Sequence, residues 1–110
     1  MKIGNVEKPT FHAFRSDFLM LVGQITGMQV KPEDGWIEIS NSEIRERIIK
    51  EFIRLMEERY GFEIALKGQL NNRQGSVEGV AGELYHIFST MFLVEVINSK
   101  IRSGQRQVDM

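Results

Sequence analysis

The amino-acid sequence predicts one α+β domain, in which a small sheet packs against three helices in the order α-β-β-α-β-α. Apolar residues recur every three or four positions in three long segments, which is the spacing of one helix face. Shorter regions instead alternate apolar and polar residues, as half-buried strands do. Because these elements do not form repeated strand–helix units, the pattern favours the α+β class.

The length of the chain fits a single domain. Its 110 residues are 42% apolar and 26% charged, which is typical of a globular protein with one core. We expect residues 1–102 to form this domain. Residues 103–110 carry few apolar side chains, so we expect them to form a flexible C-terminal tail.

The first helix is predicted between Thr10 and Gly27, after a short strand within residues 2–6. Thr10 is suited to cap the first turn of a helix, and Gly27 is suited to end one. The residues at helical spacing, which should face the core, are Phe11, Phe14, Phe18, Leu21, Val22 and Ile25.

A β-hairpin is predicted at residues 28–40, where two short alternating segments flank Pro32-Glu33-Asp34-Gly35. Proline favours the start of a turn, and glycine accepts the positive φ at its end. The sequence FEIALKGQL also alternates apolar and polar residues, and it predicts one further strand at residues 62–70.

The second helix is the clearest one and is predicted at residues 41–60. Ser40 and Glu43 have the spacing of a capping box, and Gly61 fits the C-terminal end. Its polar side carries opposite charges four residues apart, namely Glu43/Arg47, Glu46/Lys50 and Arg54/Glu58. Its core side should consist of Ile44, Ile48, Ile49, Phe52, Leu55 and Met56.

The third helix, predicted at about residues 76–102, lacks a clear polar side. Its core face would contain Val77, Val80, Ala81, Leu84, Ile87, Phe88 and Met91. The opposite face is small at its beginning and apolar towards its end, and such a helix is usually buried on both sides. Either the first helix or a second copy of the chain could cover this face. The second case predicts a homodimer interface formed by Gly79, Gly82, His86, Ser89, Leu93 and Ile97.

The glycines at the start of the third helix also allow a phosphate-binding alternative. A polar loop with Arg73 precedes Gly75, Gly79 and Gly82, and the N-terminus of a helix attracts anions. Their spacing, however, matches neither the nucleotide P-loop nor the dinucleotide fingerprint. As the Gly-x-x-Gly loop of a KH-type nucleic-acid module, residues 79–82 lack a basic residue between the glycines. We therefore expect the glycines to serve helix packing.

Few residues are candidates for chemistry. Glu83 and His86 lie one helical turn apart, as in di-iron bundles, but those sites need two such pairs and two further carboxylates. His12 has no metalloprotease context. Glu95 lies on the apolar side of the third helix, either as a buried acid with a raised pKa or as a carboxylate at the edge of the core. We expect no catalytic residue, no metal and no cofactor.

Trp36 follows a predicted turn and is either a core residue or an anchor for a partner. Tryptophan, tyrosine and arginine are enriched where proteins bind one another. The candidate partner surface consists of Trp36, Tyr60, Arg73 and Tyr85. A second interpretation is a basic site for nucleic acid, formed by Arg73, Lys100, Arg102 and Arg106.

Charge and cysteine content restrict the classes of function. The formal net charge is −1, so no global field attracts nucleic acid, and the absence of cysteine excludes disulfides and thiolate sites. No secretory signal is visible, and the apolar run at residues 84–97 is shorter than the roughly 20 residues that span a bilayer. We expect a cytoplasmic protein that does not bind membranes.

The sequence therefore favours a small non-enzymatic module for protein–protein interaction or regulation, of the adaptor or inhibitor type, that forms a homodimer through its C-terminal helix. One alternative is a nucleic-acid-binding regulatory protein that uses the Arg73 loop and the basic C-terminal end. Another is a small-ligand or metal-binding protein that uses Glu83 and His86.

Overall fold

The structure, a computed structural model, describes residues 2–4, 6–66, 68 and 70–108. It is a small α+β domain with three helices and, in the described residues, one two-stranded antiparallel sheet. In chain order the elements are β1 (Lys2–Ile3), β2 (Val6–Glu7), α1 (Phe11–Thr26), α2 (Ser42–Tyr60) and α3 (Val77–Val108).

The strands predicted at residues 28–40 and 62–70 are wrong, whereas the short strand predicted at residues 2–6 falls on the observed sheet and is divided there between β1 and β2. Residues 28–40 form turns instead of a hairpin, and the described part of residues 62–70 forms no strand. A short 3₁₀ turn, Leu70–Asn72, precedes α3. The sheet lies at the N-terminus instead, where Lys2–Ile3 pairs with Val6–Glu7.

The predicted hairpin is replaced by a loop that binds the first turn of α3. The amide of Val77 donates a hydrogen bond to the carbonyl oxygen of Asp34 at 2.8 Å, and the amide of Glu78 donates to that of Pro32 at 2.9 Å. These amides belong to the first turn of a helix, where no intrahelical acceptor is available. The backbone of residues 28–40 therefore bonds to a helix end instead of to a second strand.

The three predicted helices are confirmed, with one change of cap. Thr10 accepts a hydrogen bond from the amide of Ala13 and caps α1, and Gly27 ends that helix with a φ of 71°. For α2, the capping residue is Asn41, whose side chain accepts from the amide of Ile44 at 2.9 Å. The predicted capping box of Ser40 and Glu43 is therefore wrong: the cap lies one residue later, and Ile44 has no polar side chain to complete a box. Gly61 ends α2 with a φ of 77°.

The third helix continues to Val108, beyond the predicted end at Arg102. The flexible tail at residues 103–110 stays a prediction, and residues 109–110 lie outside the described part of the chain. At 1.5 Å per residue, α3 is about 48 Å long. It therefore spans most of the longest dimension of the domain, 58 Å, whereas the other dimensions are 24 and 19 Å.

Aromatic side chains join the three helices in the core. Phe14 of α1 lies 5.1 Å from Phe52 of α2 and 5.4 Å from Phe88 of α3, measured between ring centroids. Edge-to-face and tilted contacts at these separations are favourable beyond the apolar area that they bury. Trp36, fully buried, extends the core and donates its indole N–H to the carbonyl oxygen of Leu70 at 2.8 Å.

By length and apolar composition alone, the segment Val77–Ile101 of α3 could cross a membrane. This corrects the expectation that the apolar run is too short to do so. The same property belongs to core helices of globular proteins, and one side of α3 is such a core element. A third of the most apolar window is buried inside the domain.

Candidate functional site

One side of α3 is buried in the domain along most of its length. The residues on this side recur at helical spacing and face the aromatic core; they are Val77, Val80, Ala81, Leu84, Phe88, Phe92 and Val96. Ile87 and Met91, also predicted for the core face, are half-buried. Beyond Val96, Ile101 is 53% exposed, so the C-terminal part of α3 extends past the core.

The opposite side of α3, which we call the outward face, contains the predicted interface residues and Thr90. Its members are Gly79, Gly82, His86, Ser89, Thr90, Leu93 and Ile97. Ser89 lies at the edge of this face, because it is half-buried and its hydroxyl oxygen is covered by the domain. Leu93 and Ile97 are 44% and 47% exposed, and His86 and Thr90 are exposed as well. The sequence allowed either the first helix or a second copy of the chain as the cover of this face. Within the described part of the chain, neither α1 nor another element covers Leu93 and Ile97.

The outward face begins with two glycines that have different surroundings. A Cβ atom built on Gly79 would lie 2.7 Å from Nη1 of Arg73, so the absence of a side chain makes room for this guanidinium group. A Cβ atom built on Gly82 would meet no other part of the described chain within 4 Å. The packing of the domain thus explains why position 79 is a glycine, whereas it gives no reason for a glycine at position 82.

Arg73 and Glu83 form an ion pair across the start of α3. Nε of Arg73 donates to Oε1 of Glu83 at 2.8 Å, and Nη1 donates to the carbonyl oxygen of Gln74 at 3.0 Å. The predicted nucleic-acid role of Arg73 and the predicted metal role of Glu83 would each require this pair to open. Both alternatives stay predictions.

Glu83 and His86, the predicted metal ligands, have no further ligand beside them among the described residues. In the described residues, no group of three or more His, Asp or Glu side chains lies close enough to hold a metal ion. His86 lies at a shallow, open depression of about 370 Å³, lined by Ala65, His86, Ile87, Thr90 and Met91. This lining combines apolar groups with one imidazole and one hydroxyl, which suits the docking of an apolar side chain.

The structure does not bring the four residues of the predicted partner surface together on one surface. Trp36 is 0% exposed, so it is the core residue of the two alternatives and cannot anchor a partner. Tyr85 is half-buried and donates its hydroxyl to the carbonyl oxygen of Pro9 at 2.8 Å. Tyr60 is half-buried against Phe88, with 5.0 Å between the ring centroids.

The remaining candidate residues lie apart from one another. His12 is exposed, and its Nδ1 atom lies 3.3 Å from Nη2 of Arg15. Glu95 is half-buried on α3, and Lys100 is exposed near the end of the described side chains. The side chains of Arg102 and Arg106, also named for the basic site, lie outside the described residues. Among the candidate side chains that are described, His12, Glu95 and Lys100 form no common site.

Arg45 is the main structural residue that the sequence analysis missed. It is only 5% exposed, although it carries a charge. Its guanidinium group donates to the carbonyl oxygens of Ile37, Ser40 and Asn71 and to the side-chain oxygen of Asn72. The signal in the sequence is its position three and four residues before Ile48 and Ile49, on the apolar stripe of α2.

Comparisons with models of known protein families, with curated proteins and with solved structures find no match. The outward face of α3 is therefore interpreted from its own chemistry.

Proposed function

We propose that this domain is a small non-enzymatic module for protein–protein interaction, of a cytoplasmic regulatory type, that forms a homodimer through the outward face of α3. The observation that carries the proposal is the exposure of Leu93, Ile97 and Ile101 on one helix that extends past the core. These positions are four residues apart, so they lie along one side of the helix.

The exposed apolar side chains supply a driving force for association. Covering a half-exposed Leu or Ile contributes on the order of 1 kcal/mol, and a twofold contact uses each residue twice. Association itself is opposed by the loss of translational and rotational freedom. Two or three such residues on each chain contribute only a few kcal/mol before this cost, so the apolar seam alone supports a weak dimer.

The beginning of the outward face supports the same proposal for a different reason. Gly82 leaves the backbone of α3 accessible where no part of the described chain fills the space. A glycine in a helix interior is unfavourable by about 1 kcal/mol relative to Ala. A second helix that packs closely at this point would offset that loss.

The test is the mass of the chain in solution, measured by light scattering from about 1 µM to about 1 mM, a range that extends to the concentrations at which a weak dimer forms. We expect a dimer for the wild type and a folded monomer for the double variant Leu93→Gln/Ile97→Gln. Met20→Gln is the matched control, because Met20 is 63% exposed on α1 and lies outside the outward face. This variant should remain a dimer. A wild type that stays monomeric over the whole range would contradict the proposal.

A further inference from the structure

The outward face of α3 is complementary in size to itself when it is reversed. At two pairs of positions that lie at equal distances from the midpoint between Ser89 and Thr90, a glycine or a polar residue faces a large apolar one. Gly82 corresponds in this way to Ile97, and His86 corresponds to Leu93. The opening at Gly82, where a Cβ atom would touch nothing within 4 Å, thus matches a side chain that is 47% exposed.

The direction of α3 also favours an antiparallel pair. In such a pair the two helix dipoles oppose each other favourably. In a parallel pair the exposed Lys100 of one chain would instead lie beside Lys100 of the other and repel it. Glu78 and Glu83, near the start of the helix, already form ion pairs with Arg15 and Arg73 of the same chain.

We propose that two copies of α3 pair in antiparallel orientation about a twofold axis that passes between Ser89 and Thr90. In this pairing, Ile97 of each chain occupies the opening above Gly82 of the other. The inference rests on the homodimer proposed above and specifies its orientation and register. Ile97 follows Gly82 by 15 positions, so the seam is about 22 Å long and requires a shallow crossing angle of about 20°.

Disulfide cross-linking tests the register directly, because the chain has no cysteine of its own. Two single variants, His86→Cys and Leu93→Cys, are prepared with tags of different mass, mixed, and oxidised at a concentration at which the wild type is a dimer. The antiparallel pairing places position 86 of one chain opposite position 93 of the other. We therefore expect the mixed disulfide to form at least about ten times faster than either like-with-like disulfide, since cross-linking requires closely spaced Cβ atoms.

The control is Lys50→Cys, a position on the exposed side of α2 whose side chain is 76% exposed. Each of the two cysteine variants is also mixed with this control. These pairs should cross-link only at the slow rate of random collision. Equal rates for all mixtures would overturn the proposed register.

A second test, which needs no oxidation, enlarges the residue at position 82 and shortens the residue at position 97 that faces it. Gly82→Leu should weaken the dimer at least about tenfold, because the leucine collides with Ile97 of the other chain. Adding Ile97→Ala to Gly82→Leu should recover most of this loss. A Cβ atom built on Gly82 would meet nothing within 4 Å in the described domain. Circular dichroism should therefore show that all these variants fold.

The possible results separate the register from the homodimer itself. If the like-with-like disulfides form fastest and the wild type has the mass of a dimer, the two helices pair in parallel. This result would overturn the register and leave the homodimer standing. A monomer at every concentration would contradict both proposals, and lipid would then be an alternative cover for α3. In that case α3 would bind to vesicles of neutral phospholipid as a monomer.

Discussion

The helices α2 and α3 have similar inner faces and different outer ones. Each contributes a fully buried phenylalanine to the same aromatic cluster, Phe52 from α2 and Phe88 from α3. The outer side of α2 carries ion pairs, with Lys50 bound to Glu46 and Arg54 bound to both Glu51 and Glu58. The outward face of α3 instead presents glycines, small polar residues and exposed Leu93 and Ile97.

This difference shows that the fold fixes the inner face of a helix and leaves the residues of its outer face free to vary. An apolar stripe towards the core is sufficient to hold a helix in the domain, and the exposed side then normally carries charges that interact with water. The outer side of α2 follows this pattern. The outer side of α3 departs from it, and in the described residues only Gly79 has a packing reason, the space that it leaves for Arg73. The proposed homodimer is an explanation for the rest of this face.

The largest expected effects lie on the inner faces and should be nearly equal. Phe52→Ala and Phe88→Ala each remove a side chain that is 1% exposed. Each should lower the free energy of unfolding by about 3–5 kcal/mol, because both the buried area and the close packing are lost. Urea denaturation of the dilute chain measures this for the monomer. A loss below about 1 kcal/mol for Phe88→Ala alone would show that α3 is not a core helix.

The next effect concerns Arg45, the one charged residue on the inner side of α2. Arg45→Lys should lower the free energy of unfolding by about 2–3 kcal/mol. The single ammonium group of lysine cannot donate to all four acceptors of the guanidinium group, so some of the partly buried carbonyl oxygens lose their hydrogen-bond partner. Arg47→Lys is the matched control on the same helix. Since Arg47 is exposed, its replacement should change stability by less than about 0.5 kcal/mol. Similar losses for both variants would contradict the structural role of Arg45.

A smaller effect distinguishes the two glycines on the outward face of α3. In the dilute monomer, Gly82→Ala should raise the free energy of unfolding by about 1 kcal/mol, because alanine is the better helix former and meets no obstacle. Gly79→Ala should gain less, since its methyl group would displace the guanidinium group of Arg73. Thermal unfolding of both variants measures the difference. An equal gain at both positions would mean that Arg73 does not depend on the space at Gly79.

The smallest effect is expected on the outer side of α2. The pKa of Arg54 is raised above its ordinary value, mainly by its hydrogen bond to Glu51 and by the charges of Glu51 and Glu58. A raised pKa in the folded state stabilises the fold below the unfolded pKa and is lost only as the pH rises through the folded one. Both values lie at strongly alkaline pH, so Arg54 should add no pH dependence between about pH 6 and about pH 9. Arg54→Gln should leave the melting temperature nearly unchanged throughout this range, and a clear pH-dependent difference from the wild type would contradict this.

The sequence was sufficient to predict the helices because their signals are local. Thr10, Gly27 and Gly61 act at the helix ends where they stand in the chain. The apolar stripes identify the buried sides, and the ion pairs Glu46/Lys50 and Arg54/Glu58 follow from the four-residue spacing.

The strands could not be predicted because their signal was ambiguous. The alternation at residues 62–66 correctly marks Phe62 and Ile64 as buried and Glu63 as exposed. An alternating segment, however, becomes a strand only where another strand pairs with it. The amide of Ile64 instead donates to the carboxylate of Glu57, and residues 32–36 bond to the start of α3. The partner of Ile64 is a side chain, and the partners of residues 32–36 lie in a distant element, so an alternating pattern reveals neither.

The candidate site was predictable in its residues but not in its surroundings. Helical spacing alone places Gly82, Leu93 and Ile97 on one side of α3. Only the structure distinguishes Gly79, which accommodates Arg73, from Gly82, which accommodates nothing in the described chain. It likewise assigns Trp36 to the core, a choice that its position after a turn left open.

The buried guanidinium group of Arg45 has a consequence for how this sequence can vary over evolutionary time. Three of its four acceptors are main-chain carbonyl oxygens, those of Ile37, Ser40 and Asn71, and every amino acid carries this group. The loops that it holds can therefore change side chains at these positions while their backbone paths persist. Related chains should keep arginine at position 45 and differ freely in the loop residues that it binds.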